Sequence, residues 1–137
     1  MDFSELDLGT LADEGMVIEL YHPVTRAPLL TDEKEKITVT VLGKYSDMYQ
    51  SLQRKSNDRR LNQRGGGRLK ISAAELEAEA TDLLANCITA WFGIELDSKP
   101  LDCNYANSML LLEDRRYGWF REQIDDAVAD DGNFIKK

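Results

Sequence analysis

The chain predicts an α+β protein: a small N-terminal antiparallel β-hairpin sheet packed on a C-terminal bundle of about three helices. Three observations carry this expectation. Two short segments near residues 16 and 37 alternate apolar and polar side chains, a long run from Ser72 repeats its apolar residues at helical spacing, and a second apolar stripe closes the chain before Gly132.

The first segment, MVIELYH, sets Met16, Ile18 and Leu20 against Val17, Glu19 and Tyr21. The second, ITVTVLGKY, sets Ile37, Val39 and Val41 against Thr38 and Thr40. A period of two with β-branched enrichment is the mark of a half-buried strand. Between them, PVTRAPLLTDEKEK holds two prolines and a charged cluster, long enough for a loop or for an irregular short strand at Leu29 and Leu30. The spacing predicts a hairpin-like sheet over about residues 16–45.

Ser46 is placed to cap a short helix over residues 46–55, with Met48, Tyr49 and Leu52 on one side. Three consecutive glycines, Gly65 to Gly67, resist ordering, so residues 56–69 are expected to form a flexible basic loop. The region from 71 to 135 reads as helical. Ser72 and Glu75 stand at capping-box spacing, and Leu76, Ala80, Leu83, Leu84, Cys87, Ile88 and Trp91 share one helical face. Gly93 is placed as the left-handed cap of a helix over 72–92. After the linker ELDSKPLD, helix resumes near Asn104, breaks near Gly118 and continues with Phe120, Ile124, Ala127 and Val128 as its stripe. Gly132 is placed as its cap.

At 137 residues, 42% apolar and 31% charged, the chain has the composition of one globular domain. Acidic residues near the N-terminus, in MDFSELDLGTLADEG, stand where a targeting peptide carries basic ones, which predicts a cytoplasmic protein. Cys87 and Cys103 lie outside any CxxC pair, so no structural disulfide is expected. With His22 as the single histidine, no metal site or cofactor is expected either. The net charge of -8 is uneven: residues 54–70 are locally +6, leaving -14 for the rest.

Carboxylates such as those of QIDDAVADD fall at helix-surface spacing, and no elbow motif surrounds any serine, so an enzyme is not expected. The basic arm, Arg54, Lys55, Arg59, Arg60, Arg64, Arg68 and Lys70, is the rival feature. Its cations could follow a phosphate backbone, but the arm has no aromatic for base stacking and the rest of the chain repels nucleic acid. RGGGRLK also lacks the Gly-Lys-Ser/Thr of a phosphate loop. Met109, Leu110, Leu111 and Leu112 in succession wrap more than one helical face, and Phe134 with Ile135 follows the expected stop. Those six residues are candidates for a partner-binding surface, with a fold-back of the tail as the plainer alternative.

The order GMVIELYHPVTRAPL, ITVTVLGKYSDMY, a basic middle, an alanine-rich segment ending AWFGIEL, and RRYGWFREQIDDAVADDGNFIKK resembles the tail assembly chaperones of long-tailed bacteriophages and prophages. HPVT followed by a proline, and Phe120 to Ile124 leading to Gly132-Asn133-Phe134, carry most of the likeness. The resemblance implies a non-enzymatic assembly factor in the host cytoplasm. It implies as partners the tape-measure protein and tail-tube subunits, possible self-association, and absence from the finished virion. Many members also occur in a longer, frameshifted form. No catalytic residue comes with the resemblance, and it gives the Arg/Gly-rich segment no role.

Overall fold

Alternation along the two strand segments does what it predicts: each turns one set of side chains inward and pairs with its neighbour. The structure, a computed structural model, describes residues 1–63 and 72–134. Strands β1 (Met16–Glu19) and β2 (Thr38–Val41) are antiparallel, with Ile18 opposite Val39 and Met16 opposite Val41. In the connection, Leu29 donates its amide to Leu20 and accepts the amide of Ile37, both at 2.9 Å. Bridges at Tyr21–Pro28 and Leu30–Lys36 flank it, so the irregular short strand expected at Leu29 and Leu30 is present.

A third strand comes from a segment that reads as helix. Helix α3 (Ala73–Cys87) starts as its spacing predicts, the Ser72 hydroxyl accepting the Glu75 amide at 3.1 Å. It stops at Cys87, and residues Ile88–Phe92 form β3, antiparallel to the other side of β2. The expectation of a helix to residue 92 is therefore corrected, as is that of an all-helical 71–135. Ile88 and Thr89 are β-branched and Trp91 and Phe92 aromatic, side chains that fit a pleated surface better than a helix. Val39 and Val41 are fully buried and need neighbours on both sides, and β3 supplies Trp91 and Ile88. Gly93 has the positive φ expected of it, 84°, but ends a strand and lies where a Cβ would meet Thr31 at 2.7 Å. The expected linker also pairs, β4 (Glu95–Leu96) with β5 (Lys99–Pro100), around Asp97 and Ser98 at φ 52° and 66°. A two-residue turn with both φ positive matches the twist of a hairpin.

The remaining helices are α1 (Leu8–Glu14), α2 (Asp47–Gln63), α4 (Tyr105–Glu113) and α5 (Gly118–Ala129). A 3₁₀ turn at Arg115–Tyr117 makes the break expected near Gly118. Helices α3, α4 and α5 contact one another pairwise and carry the sheet, making the C-terminal bundle of three. Their interior is one apolar cluster that includes Leu20, Val39, Val41, Leu84, Ile88, Phe120 and Ile124, with Ile18 and Trp91 half-buried against it. Trp91 satisfies its indole N–H on the Leu101 carbonyl at 2.7 Å.

Two further expectations change. Helix α2 runs to Gln63, through residues 56–63 that were expected to be loop; its arginines, leucines and glutamines are good helix formers, and Arg54 and Arg59 reach back to Ser51 and Ser56 at 3.3 Å. The rest of the expected loop, including Gly65 to Gly67, lies outside the described residues. At the C-terminus α5 ends at Ala129 rather than at Gly132. Asp130 accepts the Gly132 amide at 2.9 Å and starts a new 3₁₀ turn, Asp131–Asn133, which carries Phe134 back into the core.

Candidate functional site

Four of the six expected partner-binding residues are placed elsewhere or differently from the surface site predicted for them. Leu111 and Leu112 are buried on the bundle side of α4, and Phe134 is buried by the fold-back. Helix α4 is apolar on more than one face because α3 and α5 both cover it, so its run of leucines is core. Met109 is half-buried against the same cluster, Leu110 is 48% exposed, and Ile135 lies outside the described residues. The basic arm is divided: Arg54, Lys55 and Arg59 are exposed on α2, Arg60 continues that helix, and Arg64, Arg68 and Lys70 lie outside the described residues.

An open groove with apolar and charged lining is found where α2 meets α3. Tyr49 in the first turn of α2 lies near Cys87 at the end of α3, and Arg59, further along α2, lies 3.9 Å from Glu79 midway along α3. The two helices therefore run antiparallel as a hairpin. They touch along part of their length. A groove of about 680 Å³ opens between α2, α3 and α5, with Leu52, Leu76, Ala80 and Leu83 among its lining residues. Leu76 is 47% exposed there, and beyond the groove Leu61 is 59% exposed on α2. Helix α2 packs on the core through Tyr49, and Leu52 is half-buried; residues 53–55 and 57–59 are exposed. A helix with so little apolar stripe of its own gains stability chiefly from what packs on it.

The lining carries both signs of charge, and Arg59 of α2 pairs with Glu79 of α3 at 3.9 Å. Along α2 stand Lys55 and Arg59, interrupted by Asp58; along α3 stand Glu79 and Asp82. Helix α5 closes the groove with Arg121 and Asp125. Arg121 is fixed: its guanidinium donates to the Thr81 hydroxyl at 2.6 Å and to the Leu112 carbonyl at 3.4 Å, and pairs with Glu77 at 3.1 Å. Asp82 accepts the Tyr105 hydroxyl, a hydrogen bond that, with burial, raises the Tyr105 pKa. Burial, with Cys87 and Asp125 nearby, likewise raises that of Tyr49.

A second hollow, about 140 Å³, lies between the sheet and α5 beside Leu29, Ile94, Leu96 and Trp119. It has room for one side chain. Other residues weighed for chemistry have structural tasks or stand apart: His22 Nδ1 accepts the amides of Val24 and Thr25 at 3.1 and 3.2 Å, Asp125, Asp126 and Asp130 are exposed on α5 or just after it, and Cys87 and Cys103 are unpaired.

Comparison with protein-family models, curated proteins and solved structures gives no match. Among the described residues no helix is long and apolar enough to cross a membrane. The groove was missed in the sequence because Leu76 and Leu83 read as part of one continuous core stripe. The signal that points to it is the mismatch between neighbours: α3 carries an apolar face along its length, while α2 beside it offers few apolar residues to cover that face.

Proposed function

We propose that the protein is a non-enzymatic tail assembly chaperone of the long-tailed phage type, which takes an amphipathic helix of the tape-measure protein into the groove between α2 and α3. The observation that carries this reading is the groove itself, where Leu52, Leu76, Ala80 and Leu83 line an opening among polar residues and Leu76 is half-exposed. Helix-in-groove binding uses apolar anchors at successive turns. A tape-measure protein is long and helical, so it offers such stripes and aggregates when they are bare. A bound chain of net charge -8 keeps the complex soluble by mutual repulsion. The sequence resemblance points to the same partner and adds the tail-tube subunits, a host-cytoplasmic setting and absence from the finished virion.

Co-expression with the neighbouring tape-measure and tail-tube proteins tests the reading. The expected result is that the tape-measure protein becomes soluble and co-purifies with this chain. Its full solubility and normal tail assembly without this chain would overturn the function.

A nucleic-acid reading rests on Arg54, Lys55 and Arg59, exposed together on α2. It is weaker because Arg59 already faces Glu79 and an acidic helix runs alongside. Salt-sensitive retention of single-stranded DNA, lost on changing Arg54, Lys55 and Arg59 to alanine, would favour it over the chaperone reading.

A further inference from the structure

We propose that the hollow between the sheet and α5 is an anchor pocket: it takes one aromatic ring from an extended segment of a partner protein, whose main chain pairs with the free edge of β4 at Glu95. The hollow shares no lining residue with the groove between α2 and α3, so the site goes beyond the helix-binding reading and stands independently of it.

Size decides the kind of occupant. At about 140 Å³ the hollow is well below the roughly 300–1,000 Å³ of pockets that enclose a whole small-molecule ligand. It is close to the about 150 Å³ of an apolar cavity that holds one benzene ring. Leu29, Ile37, Ile94 and Leu96 give it aliphatic walls, and Trp119 and Phe120, themselves edge to face at 6.3 Å between centroids, add aromatic ones. A single incoming ring can pack on both kinds of surface.

The main chain beside the hollow is unsatisfied on one side. In the β4–β5 hairpin the Leu101 amide donates to the Ile94 carbonyl at 3.0 Å, so residues 94 and 101 stand as a hydrogen-bonded pair. Pairs alternate along an antiparallel ladder, which makes the next pair, Glu95 and Pro100, the kind that exchanges no hydrogen bond. Pro100 has no N–H to offer in any case. The N–H and C=O of Glu95 therefore point away from β5. Among the described residues β4 has no other strand beside it, and Glu95 is exposed, so both groups lie on an open edge next to the hollow that Glu95 and Leu96 help to line. Strand addition uses this arrangement: main-chain hydrogen bonds set the line of the segment and a pocket selects its side chain. With only two residues in β4, the ring supplies most of the hold.

The test is an NMR titration of the isotope-labelled full-length chain with the capped, uncharged peptide Ser-Thr-Thr-Phe-Thr-Thr-Ser. Shifts are expected at Ile94, Glu95, Leu96 and the indole of Trp119, and none at Leu76. Replacing the peptide's phenylalanine by alanine is expected to weaken binding about tenfold or more, the effect of leaving a ring unburied. N-methylating the phenylalanine and the threonine before it keeps the ring, removes main-chain donors and is expected to weaken binding several-fold. Leu96→Trp, first shown to be folded by circular dichroism, fills the hollow and is expected to abolish binding, whereas Leu76→Gln leaves it unchanged.

Equal binding of the phenylalanine and alanine peptides, or shifts spread away from the hollow, overturns the anchor pocket. Undiminished binding of the N-methylated peptide overturns pairing at Glu95. Toluene or phenol shifting these residues while the peptide does not makes this a small-molecule site and overturns the proposed occupant. Dimers in sedimentation that Leu96→Trp abolishes overturn it in favour of a second copy. Each of these failures leaves helix binding at Leu76 standing.

Discussion

Phe134 lies against the backbone of Gly43, so closely that a methyl group there would fall 2.9 Å from ring atom Cε2 and 2.9 Å from Cβ of Ala12. The glycine is required by proximity, not by its own dihedral angles. Its amide donates to the Ala12 carbonyl at 3.2 Å, and the next amide, of Lys44, donates to Val128 at 3.2 Å. The segment after β2 thus joins α1, α5 and the C-terminal turn. Gly43→Ala is expected to lower stability by about 1–3 kcal/mol through overpacking, and Phe134→Ala by about 3–5 kcal/mol through the cavity it leaves. Urea unfolding of both variants and of the double variant checks this, the double costing less than the sum because the methyl then meets a smaller neighbour.

Gln123 of α5 satisfies both backbone groups of Tyr21 just past β1. Its Oε1 accepts the Tyr21 amide at 2.9 Å and its Nε2 donates to the Tyr21 carbonyl at 2.8 Å. Gln123→Ala is expected to cost about 1–2 kcal/mol. Gln123→Glu keeps the acceptor and sets a carboxylate against a carbonyl oxygen, which raises that carboxyl's pKa in the folded state. Its protonated form can donate, so the stabilisation is present below the unfolded value of about 4.3 and is lost as pH rises through the folded one. The deficit relative to the unaltered chain should therefore shrink on acidification, read by unfolding at pH 7 and at about pH 4.

Arg121 and Thr81 hold α5 to α3 at the groove's inner end. The buried Thr81 hydroxyl donates to the Glu77 carbonyl at 2.8 Å and accepts from Arg121 at 2.6 Å. The Glu77 side chain also pairs with Arg121, but it is 68% exposed and screened. Thr81→Val is therefore expected to cost about 1–3 kcal/mol and Glu77→Ala under about 1 kcal/mol, by urea unfolding. The reverse order would show that the ion pair is the main tie.

Strands β1 and β2 were legible because alternation is local, and α3 and α4 announced their starts through Ser72 and Asn104, whose side chains accept amides at 3.1 and 2.8 Å. Where α3 ended was not legible. Leu84, Cys87, Ile88 and Trp91 keep helical spacing straight through the change to strand, and what converts Ile88–Phe92 is the free side of β2, a non-local partner. The groove was hidden for a related reason: periodicity shows that Leu76 and Leu83 share a face but not whether α2 covers it. Phe134 read as spare because nothing in a sequence reveals that Gly43 leaves room for its ring.

Cys87 gives stability an alkaline limit. Its thiol is fully buried, and that burial pushes its pKa from 9.0 up to about 12. The thiol must stay protonated in the fold but ionises in the unfolded chain, so its contribution is complete below pH 9 and is lost as pH rises toward 12. Stability is expected to fall by about 1.4 kcal/mol per pH unit in that window from this group. Comparing the slope between pH 9 and 10 for the unaltered chain and Cys87→Ala isolates it, because Tyr49 and Tyr105, both raised from 10.0, begin to matter higher. An unchanged slope would mean that the thiol is hydrated in solution. The same burial predicts that thiol reagents modify the half-buried Cys103 well before Cys87.

Leu76 on α3 and Leu110 on α4 are almost equally exposed, 47% and 48%, and they separate the two surfaces considered for a partner. Leu76 lines the groove between α2 and α3, whereas Leu110 is what remains at the surface of the leucine run on α4. Removing a half-exposed leucine from a helix surface leaves the rest of the core packed, so Leu76→Gln and Leu110→Gln are each expected to change stability by about 1 kcal/mol or less. Any difference between them in a binding assay then reports contact with a partner. Burial of Leu76 under a docked helix contributes roughly 1 kcal/mol or more at the usual area coefficient, with further loss from seating a polar amide among leucines. In co-expression with the tape-measure protein, Leu76→Gln should reduce the soluble, co-purifying fraction several-fold while Leu110→Gln leaves it unchanged. The opposite pattern would move the binding surface to α4, and two unaffected variants would remove both.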